Sequence, residues 1–306
     1  MDITFCCADT NADEWLPGLR AALPEANITL WQAGAPPARY AIVWQPPRQF
    51  FTEQPQLRAL FNMGAGVDAL MGPHLSPNTL VVRLNDAGMA DQMAEYVCHA
   101  LIRHFRAFAA YDQDMAQRQW TYREPLPRAQ FPVGVMGLGA LGERVARAVG
   151  VFGFPVRGWS RSAKQIAGVE CFSGSEGFTP FLQGTRVLVN MLPLTAETEN
   201  ILNRATLSQL QPGALLINVA RGRHLVEEDL QPLLDGGQLA AAVLDVFRQE
   251  PLPADHPFWS DARITITPHT AARTLFQETV AQISGKLRAL ERGEAIAGVV
   301  DMQRGY

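Results

Sequence analysis

The stretch "VGVMGLGALGERVARAVGVFGFPVRGWS", residues 133–160, gives the strongest indication of the fold. Its apolar run 133–136 predicts a strand, and Gly137-x-Gly139-x-x-Gly142 follows at the head of an amphipathic stretch typical of a helix. In such a unit the first glycine allows a tight turn, the second lets a pyrophosphate approach bare backbone at the helix N-terminus, and the third lets the helix pack against the strand. A tight β–α turn without a ligand is the alternative. The predicted cofactor contacts of this loop are Gly137, Leu138, Gly139, Ala140, Leu141 and Gly142.

The end of the next predicted strand, "GWSRSAK" at residues 158–164, bears on which cofactor binds. In the NAD form of this unit an Asp or Glu about 20 residues further on binds the ribose 2′-hydroxyl. Here no acidic residue is present, and the planar guanidinium of Arg161 is suited to a 2′-phosphate. Ser160, Ser162 and Lys164 can add donors. The segment predicts a preference for NADP(H) with NAD(H) also possible, the alternative being an ordinary solvated polar loop.

Short apolar runs alternate with longer mixed stretches along the whole chain, which is typical of parallel sheets with helical crossovers. The first series is "DITFCC" (2–7), "ITLWQ" (28–32), "YAIVWQ" (40–45), "LRALFNMG" (57–64) and "TLVVRL" (79–84). The second series is "PVGVMG", "PVRGWS", "RVLVNML", "ALLINVA", "LAAAVLDVF" and "RITITPH". Residues 89–119, free of Gly and Pro, predict one long helix that connects two domains. Residues 274–293 predict a helix that crosses back toward the first domain, with a cleft between the two.

Composition narrows the class of partner. The chain has 306 residues, 47% apolar content, a formal net charge of −4 and a pI near 5.9, so we expect a small-molecule ligand rather than nucleic acid or an anionic membrane surface. No apolar run approaches the roughly 18 residues of a membrane span, and no basic leader segment precedes the first run, which predicts a cytoplasmic location. The four cysteines show no C-x-x-C spacing, so no metal site is predicted.

Residues suited to oxidoreductase chemistry follow three apolar runs late in the chain. Arg221 lies in "NVARGRHLVEEDL", Asp245 and Glu250 lie in "LDVFRQEPLP", and His269 lies in "ITPHTAAR". Because the carboxyl ends of parallel strands face the ligand crevice, we expect Arg221, Asp245 and His269 to converge there. Reduction of a 2-oxo acid needs a cation for the substrate carboxylate, an acid for the carbonyl oxygen and a carboxylate that keeps this acid charged. Arg221, His269 and Glu250 have these chemistries.

These motifs together resemble the D-isomer-specific 2-hydroxyacid dehydrogenases. The segments that carry the resemblance are "GLGALGERVA", "VLVNMLPLTAETENIL", "GALLINVARGRHLVEEDL", "LAAAVLDVFRQEPLP" and "ITPHTAAR". Within that family the sequence is most similar to the bacterial glyoxylate/hydroxypyruvate reductase A group. The resemblance implies an α/β fold of two Rossmann-like domains with parallel sheets. A dinucleotide-binding domain, 101–273, is inserted into a flavodoxin-like substrate domain formed by 1–100 and 274–306.

The resemblance also implies roles for individual residues. Arg221 would bind the substrate, His269 would act as the acid and Glu250 would orient it. Asp245 would contact the nicotinamide carboxamide. The predicted substrate-binding set is Trp44, Gly64, Ala65 and Gly66, with backbone amides cradling the substrate carboxylate and Trp44 lining a small pocket or lying in the core. The remaining predicted cofactor contacts are Leu192, Pro193 and Ala220.

The activity implied is NADPH-dependent reduction of small 2-oxo acids, of glyoxylate to glycolate and of hydroxypyruvate to D-glycerate. A homodimer formed through the connector helix is also implied. Two alternatives remain open at this stage. One is an NAD-linked dehydrogenase of a larger D-2-hydroxy acid, and the other is a dinucleotide-sensing binding protein of the same fold.

Overall fold

The computed structural model describes residues 1–8, 11–71, 75–302 and 304. The chain divides into two compact units, one made of Met1–Met89 with Arg273–Tyr306 and the other of Ala90–Ala272. Within the described residues, no helix has the length and apolar character needed to cross a membrane.

The first unit contains a five-stranded parallel sheet in the order β2-β1-β3-β4-β5, the flavodoxin-like order. Its strands are β1 (Asp2–Cys7), β2 (Asn27–Leu30), β3 (Tyr40–Trp44), β4 (Ala59–Asn62) and β5 (Leu80–Val82), and the helices α1 (Ala12–Ala22) and α2 (Arg48–Glu53) connect them. β3 and β4 are buried almost throughout, because a parallel sheet is covered on both faces.

The second unit contains a seven-stranded parallel sheet in the order β12-β11-β10-β9-β6-β7-β8. Its strands are β6 (Val133–Met136), β7 (Val156–Ser160), β8 (Val169–Ser173), β9 (Val187–Asn190), β10 (Ala214–Asn218), β11 (Leu239–Leu244) and β12 (Ile264–Ile266). Its helices are α3 (Met89–Phe105), α4 (Phe108–Ala116), α5 (Ala140–Val151), α6 (Phe178–Gln183), α7 (Arg204–Leu207) and α8 (Glu227–Asp235). This is the doubly wound order with one strand added, and its topological switch point lies between β6 and β9. The predicted α/β class with two parallel sheets is confirmed.

The long helix predicted over residues 89–119 is two helices. Ala107 has a left-handed backbone with φ 53°, which separates α3 from α4. Phe105 is buried against the rings of Phe131 and Phe154, each with a centroid distance of 5.0 Å, and this contact fixes the end of α3. None of the residues of α4, all of which the structure describes, is buried, so no packing holds the chain in one continuous helix.

The predicted domain boundary at residue 100 lies inside α3, whereas the structure has α3 from Ala90 onward in the second unit. Its apolar positions Val97 and Leu101 are fully buried and belong to the core cluster that contains Val133 and Val145 of the second unit. The two compact units accordingly meet in the chain between Met89 and Ala90, near the N-terminus of α3.

The last helix, α9 (Phe276–Glu291), belongs to the first unit. Ile283 and Leu287 are fully buried in the core cluster that also contains Leu19 of α1. Gln303, Gly305 and Tyr306, at the end of the predicted segment 274–306, lie outside the described residues.

Candidate active site

The glycine loop after β6 has three glycines in three different environments. A Cβ at Gly137, which has φ +99°, would lie 2.7 Å from the backbone oxygen of Met191, so only glycine fits the turn. A Cβ at Gly142 would lie 1.8 Å from the backbone oxygen of Gly137, which shows how closely α5 approaches the strand. At Gly139, the N-cap of α5, no described atom beyond its two chain neighbours would lie within 4 Å of a Cβ. This position needs no glycine for packing, and the open space over the helix N-terminus fits an approaching pyrophosphate.

The segment that follows β7 is polar and lacks a carboxylate between residues 158 and 164. Ser160 is buried, and its hydroxyl donates to the backbone oxygen of Ser162 at 2.8 Å, so its single hydrogen is used inside the loop. Arg161, Ser162 and Lys164 have exposed side chains. The predicted contact of these residues with a 2′-phosphate therefore depends on Arg161 and Lys164 more than on Ser160.

The predicted acid and its partner are in direct contact. His269 Nδ1 lies 2.9 Å from Glu250 Oε2, and the backbone N–H of Phe247 donates to Glu250 Oε1 at 2.9 Å. Burial by itself raises the pKa of Glu250. The hydrogen bonds from His269 and Phe247 and the nearby positive charges outweigh it, so this pKa lies below its ordinary value. Because Nδ1 faces the carboxylate, Nε2 is the imidazole atom left to exchange a proton with a ligand.

Arg221 lies near this pair. It follows β10, is half-buried, and donates from Nη1 to the backbone oxygen of Ala220 at 2.7 Å. Its positive charge is one of the causes of the lowered pKa of Glu250. The structure thus brings Arg221, Glu250 and His269 together within the second unit, which agrees with the expectation from strand ends for Arg221 and His269.

Asp245 is turned into the protein, with 1% of its surface exposed. Its Oδ1 accepts from the Thr267 hydroxyl at 2.6 Å and the Thr270 N–H at 2.8 Å, and its Oδ2 accepts from the Ala271 N–H at 2.9 Å. These bonds fix the loop that carries His269. The contact of Asp245 with the nicotinamide carboxamide stays a prediction.

A buried network that the sequence analysis missed lies at the ends of β9 and β10. Asn190, Asn218 and His224 are 0% exposed. Asn190 Nδ2 donates to Asn218 Oδ1 at 3.0 Å and lies 3.0 Å from His224 Nδ1. The Leu192 N–H donates to Asn190 Oδ1, which fixes the orientation of this amide. His224 Nδ1 is therefore an acceptor, and Nε2 carries the hydrogen that faces the Pro193 oxygen at 3.3 Å.

The same network supports residues that the sequence did predict. Asn218 accepts from the Ala220 N–H at 3.3 Å and donates to the Arg221 backbone oxygen at 3.1 Å. One buried network of two asparagines and a histidine consequently holds Leu192, Pro193, Ala220 and Arg221. A signal for this network was present, because β9 and β10 are apolar strands that both end in asparagine, "VLVN" and "LLIN".

The residues predicted to bind substrate through the other unit lie around the end of β4. A Cβ at Gly64 would lie 2.4 Å from Cζ3 of the half-buried Trp44, so the indole packs directly on this glycine. The amide of Asn62, 2% exposed, donates to the backbone oxygens of Gly64 at 3.1 Å and Gly66 at 2.7 Å. Asn62 was also missed and fixes the loop that contains Ala65. Cradling of a carboxylate by residues 64–66 stays a prediction.

The chain is similar to one protein family and to named relatives over their full length. Residues 98–271 match the family model described as D-isomer specific 2-hydroxyacid dehydrogenase, NAD binding domain. The chain is 48% identical over 313 aligned residues to glyoxylate/hydroxypyruvate reductase A of Serratia proteamaculans and 45% identical over 316 to that of Escherichia fergusonii, with 100% of both chains covered in each case.

Solved structures of the same family are similar to this chain in fold and in sequence. The D-isomer specific 2-hydroxyacid dehydrogenase of Xanthobacter autotrophicus, in complex with NADPH and MES, has a TM-score of 0.94 and 39% identity, covering 100% of this chain and 99% of that one. The NADPH-dependent glyoxylate/hydroxypyruvate reductase of Sinorhizobium meliloti, in complex with NADP and sulfate, has a TM-score of 0.93 and 32% identity with the same coverage.

Proposed function

The chain belongs to the D-isomer specific 2-hydroxyacid dehydrogenase family, and from that membership we propose that it is an NADPH-dependent reductase of small 2-oxo acids. Its substrates are glyoxylate, reduced to glycolate, and hydroxypyruvate, reduced to D-glycerate. The observation that carries the proposal is the contact of His269 Nδ1 with Glu250 Oε2 at 2.9 Å beside the charge of Arg221. The names of the relatives, which are reductases of these two acids, support the choice of substrate.

The chemistry follows from the side chains. Arg221 pairs with the substrate carboxylate and draws electron density from the adjacent carbonyl group. NADPH, when bound, supplies the hydride that adds to the carbonyl carbon. His269 gives the proton on Nε2 to the carbonyl oxygen, which completes the hydroxyl group, and then regains a proton from water. Glu250 holds the ring through Nδ1 and stabilises the protonated imidazole with its negative charge. The carboxylate of Glu250 is ionised for this role because its pKa is lowered.

The cofactor preference is proposed from the segment after β7. Replacing Arg161 by alanine removes charge-assisted hydrogen bonds to the 2′-phosphate, so Arg161→Ala raises the KM for NADPH by about 10-fold or more and leaves the KM for NADH nearly unchanged. Arg147→Ala is the matched control, because Arg147 is exposed and pairs with Glu143 on α5. An equal rise in the KM for NADPH and for NADH would show that Arg161 does not bind the 2′-phosphate.

The activity itself is tested by the loss of nicotinamide absorbance with purified protein, each of the two acids, and NADPH or NADH. Fast loss of NADPH and slow loss of NADH is expected. Equal use of both cofactors would be consistent with the proposed reductase activity but would exclude a preference for the 2′-phosphate. Loss of NADPH only with larger 2-oxo acids would favour a dehydrogenase of larger substrates, and NADPH binding without turnover would favour a dinucleotide-sensing protein.

A homodimer formed by the region of α4 is part of the proposal. Met115 is 75% exposed, Trp120 is 102% exposed and Tyr122 is 74% exposed. An apolar surface of this kind on a protomer is typical of a protein–protein contact. Light scattering should therefore give twice the mass of one chain, and a monomer at assay concentration would contradict this. The cytoplasmic location and the absence of a nucleic-acid partner stay predictions from charge and composition.

A further inference from the structure

The backbone at His269 has an unusual conformation that the neighbouring chain holds in place. His269 has φ 54°, in the left-handed region that residues with a side chain rarely adopt. The N–H of His269 donates to the backbone oxygen of Asp245 at 2.8 Å, and the N–H groups of Thr270 and Ala271 donate to the Asp245 carboxylate. Asp245 therefore binds the chain at His269 and at the two residues after it.

The carboxylate of Asp245 is itself oriented by two hydroxyl groups. Thr267 donates its only hydroxyl hydrogen to Asp245 Oδ1 at 2.6 Å. The Thr267 oxygen lies 2.5 Å from the phenol oxygen of Tyr96, and since the threonine hydrogen is already used, Tyr96 is the donor. A chain of hydrogen bonds thus runs from Tyr96 on α3 through Thr267 to Asp245.

We infer that Tyr96 and Thr267 are positioning residues for His269, acting through the carboxylate of Asp245. Neither hydroxyl needs to touch the substrate or the cofactor for this role. By holding the carboxylate in one orientation, they keep both loop amides bonded and the left-handed turn closed. The imidazole then stays at a fixed place relative to Glu250. The inference rests on the proposed function only in that His269 is taken as the general acid.

The buried environment of Tyr96 keeps its phenol group protonated, so that it acts as a hydrogen-bond donor. Burial raises its pKa to about 12, and the negative charge of Asp245 acts in the same direction. The phenol consequently keeps its hydrogen at any pH at which an imidazole changes charge. The hydrogen-bond chain keeps one direction while His269 gains and loses its proton.

The first test measures the loop without turnover. Hydrogen–deuterium exchange at the amides of Thr270 and Ala271 is compared in wild type, Tyr96→Phe, Thr267→Val and Thr267→Ser. We expect exchange about 3- to 10-fold faster in the phenylalanine and valine variants, because each loses a hydrogen bond of the chain. Thr267→Ser keeps the hydroxyl and should match wild type. Thr265→Val, an exposed threonine on β12, is the matched control and should also match it.

The second test uses turnover. Tyr96→Phe and Thr267→Val should each lower kcat by about 3- to 10-fold with the Kd for NADPH unchanged, and Thr267→Ser should restore kcat. The double variant should be no slower than Thr267→Val alone, because both substitutions break one chain. Unchanged exchange at Thr270 and Ala271 in Thr267→Val would overturn the inference, whether or not the wild-type protein reduces the two acids. Failure of the wild type to oxidise NADPH would overturn only the proposed function.

Discussion

The two loops that carry the proposed site residues are anchored in different ways. The loop after β12, residues 267–271, carries His269 and is bonded to a buried carboxylate, that of Asp245. The loop after β10, residues 219–222, carries Arg221 and is bonded to a buried neutral amide, that of Asn218. Both anchors lie at strand ends of the same sheet, and neither is exposed beyond 1%.

The difference follows from what each group can bond. A carboxylate only accepts, so Asp245 gathers one hydroxyl and two N–H donors from a single loop. An amide both donates and accepts, so Asn218 joins an N–H, a carbonyl and a second amide, that of Asn190. The Asp245 carboxylate therefore binds one loop, that of His269, whereas the network of Asn218 binds the Arg221 loop together with the one that contains Pro193. We expect substitutions that weaken the His269 loop to slow proton transfer, and substitutions that weaken the Arg221 loop to weaken binding of the 2-oxo acid.

The largest effects should come from the two side chains that the loops present. His269→Ala should lower kcat by at least about 100-fold, because the general acid is lost, with little change in the Kd for NADPH. Arg221→Ala should act mainly on the KM for the 2-oxo acid, because the cation for its carboxylate is lost. His99→Ala, an exposed histidine on α3, is the control. Full turnover in His269→Ala would remove this residue from the role of acid.

The anchors themselves give the next largest effects. In Asp245→Asn the new NH₂ group faces an N–H donor of the loop, so we expect kcat to fall by about 10- to 100-fold with the KM for the 2-oxo acid nearly unchanged. In Asn218→Ala the bonds to Ala220 and Arg221 are lost, and we expect this KM to rise by about 5- to 10-fold with a smaller change in kcat. Steady-state kinetics with glyoxylate measures both. The same pattern in both variants would mean that the two loops are not held independently.

The smallest effect expected is a shift in pH dependence. The pKa of Glu250 is lowered, so its carboxylate stays charged down to a pH below the ordinary glutamate value of about 4.3. As the pH is lowered, activity should therefore be retained until the pH is below about 4.3. Below the lowered pKa the Glu250 carboxylate takes up a proton and its bond to the imidazole weakens, so activity should fall there. Glu250→Gln removes this titrating group, so the acidic fall should be absent from its profile, which should lie lower throughout. An acidic fall of kcat/KM that stays unchanged in Glu250→Gln would contradict the role of Glu250.

The fold could be predicted well because its strongest signals are local. The apolar runs and the glycine loop mark eleven of the strands within a few residues, but β8 was missed because "VECFS" is a partly exposed strand at the sheet edge without a continuous apolar run. The break between α3 and α4 also escaped prediction. No Gly or Pro marks it, and the contacts of Phe105 that end α3 involve residues distant in sequence.

The candidate site could be predicted only in part. Arg221, Glu250 and His269 could be proposed because their side chains have the chemistry that the reaction needs and each follows a strand. Asn190, Asn218, His224 and Tyr96 were missed, because polar residues of these types have no distinctive spacing and their partners are set by tertiary contact. The hydrogen bond from Tyr96 to Thr267, for example, joins residues 171 positions apart.

The proposed function depends on transfer of a hydride from a nicotinamide to the carbonyl carbon of a small 2-oxo acid. The most direct measurement uses NADPH with both hydrogens at nicotinamide C4 replaced by deuterium, with glyoxylate as substrate and mass spectrometry of the product. Direct hydride transfer should give glycolate that carries one deuterium at C2 for each cofactor oxidised. Glycolate without deuterium, or no glycolate from a protein that binds NADPH, would contradict it.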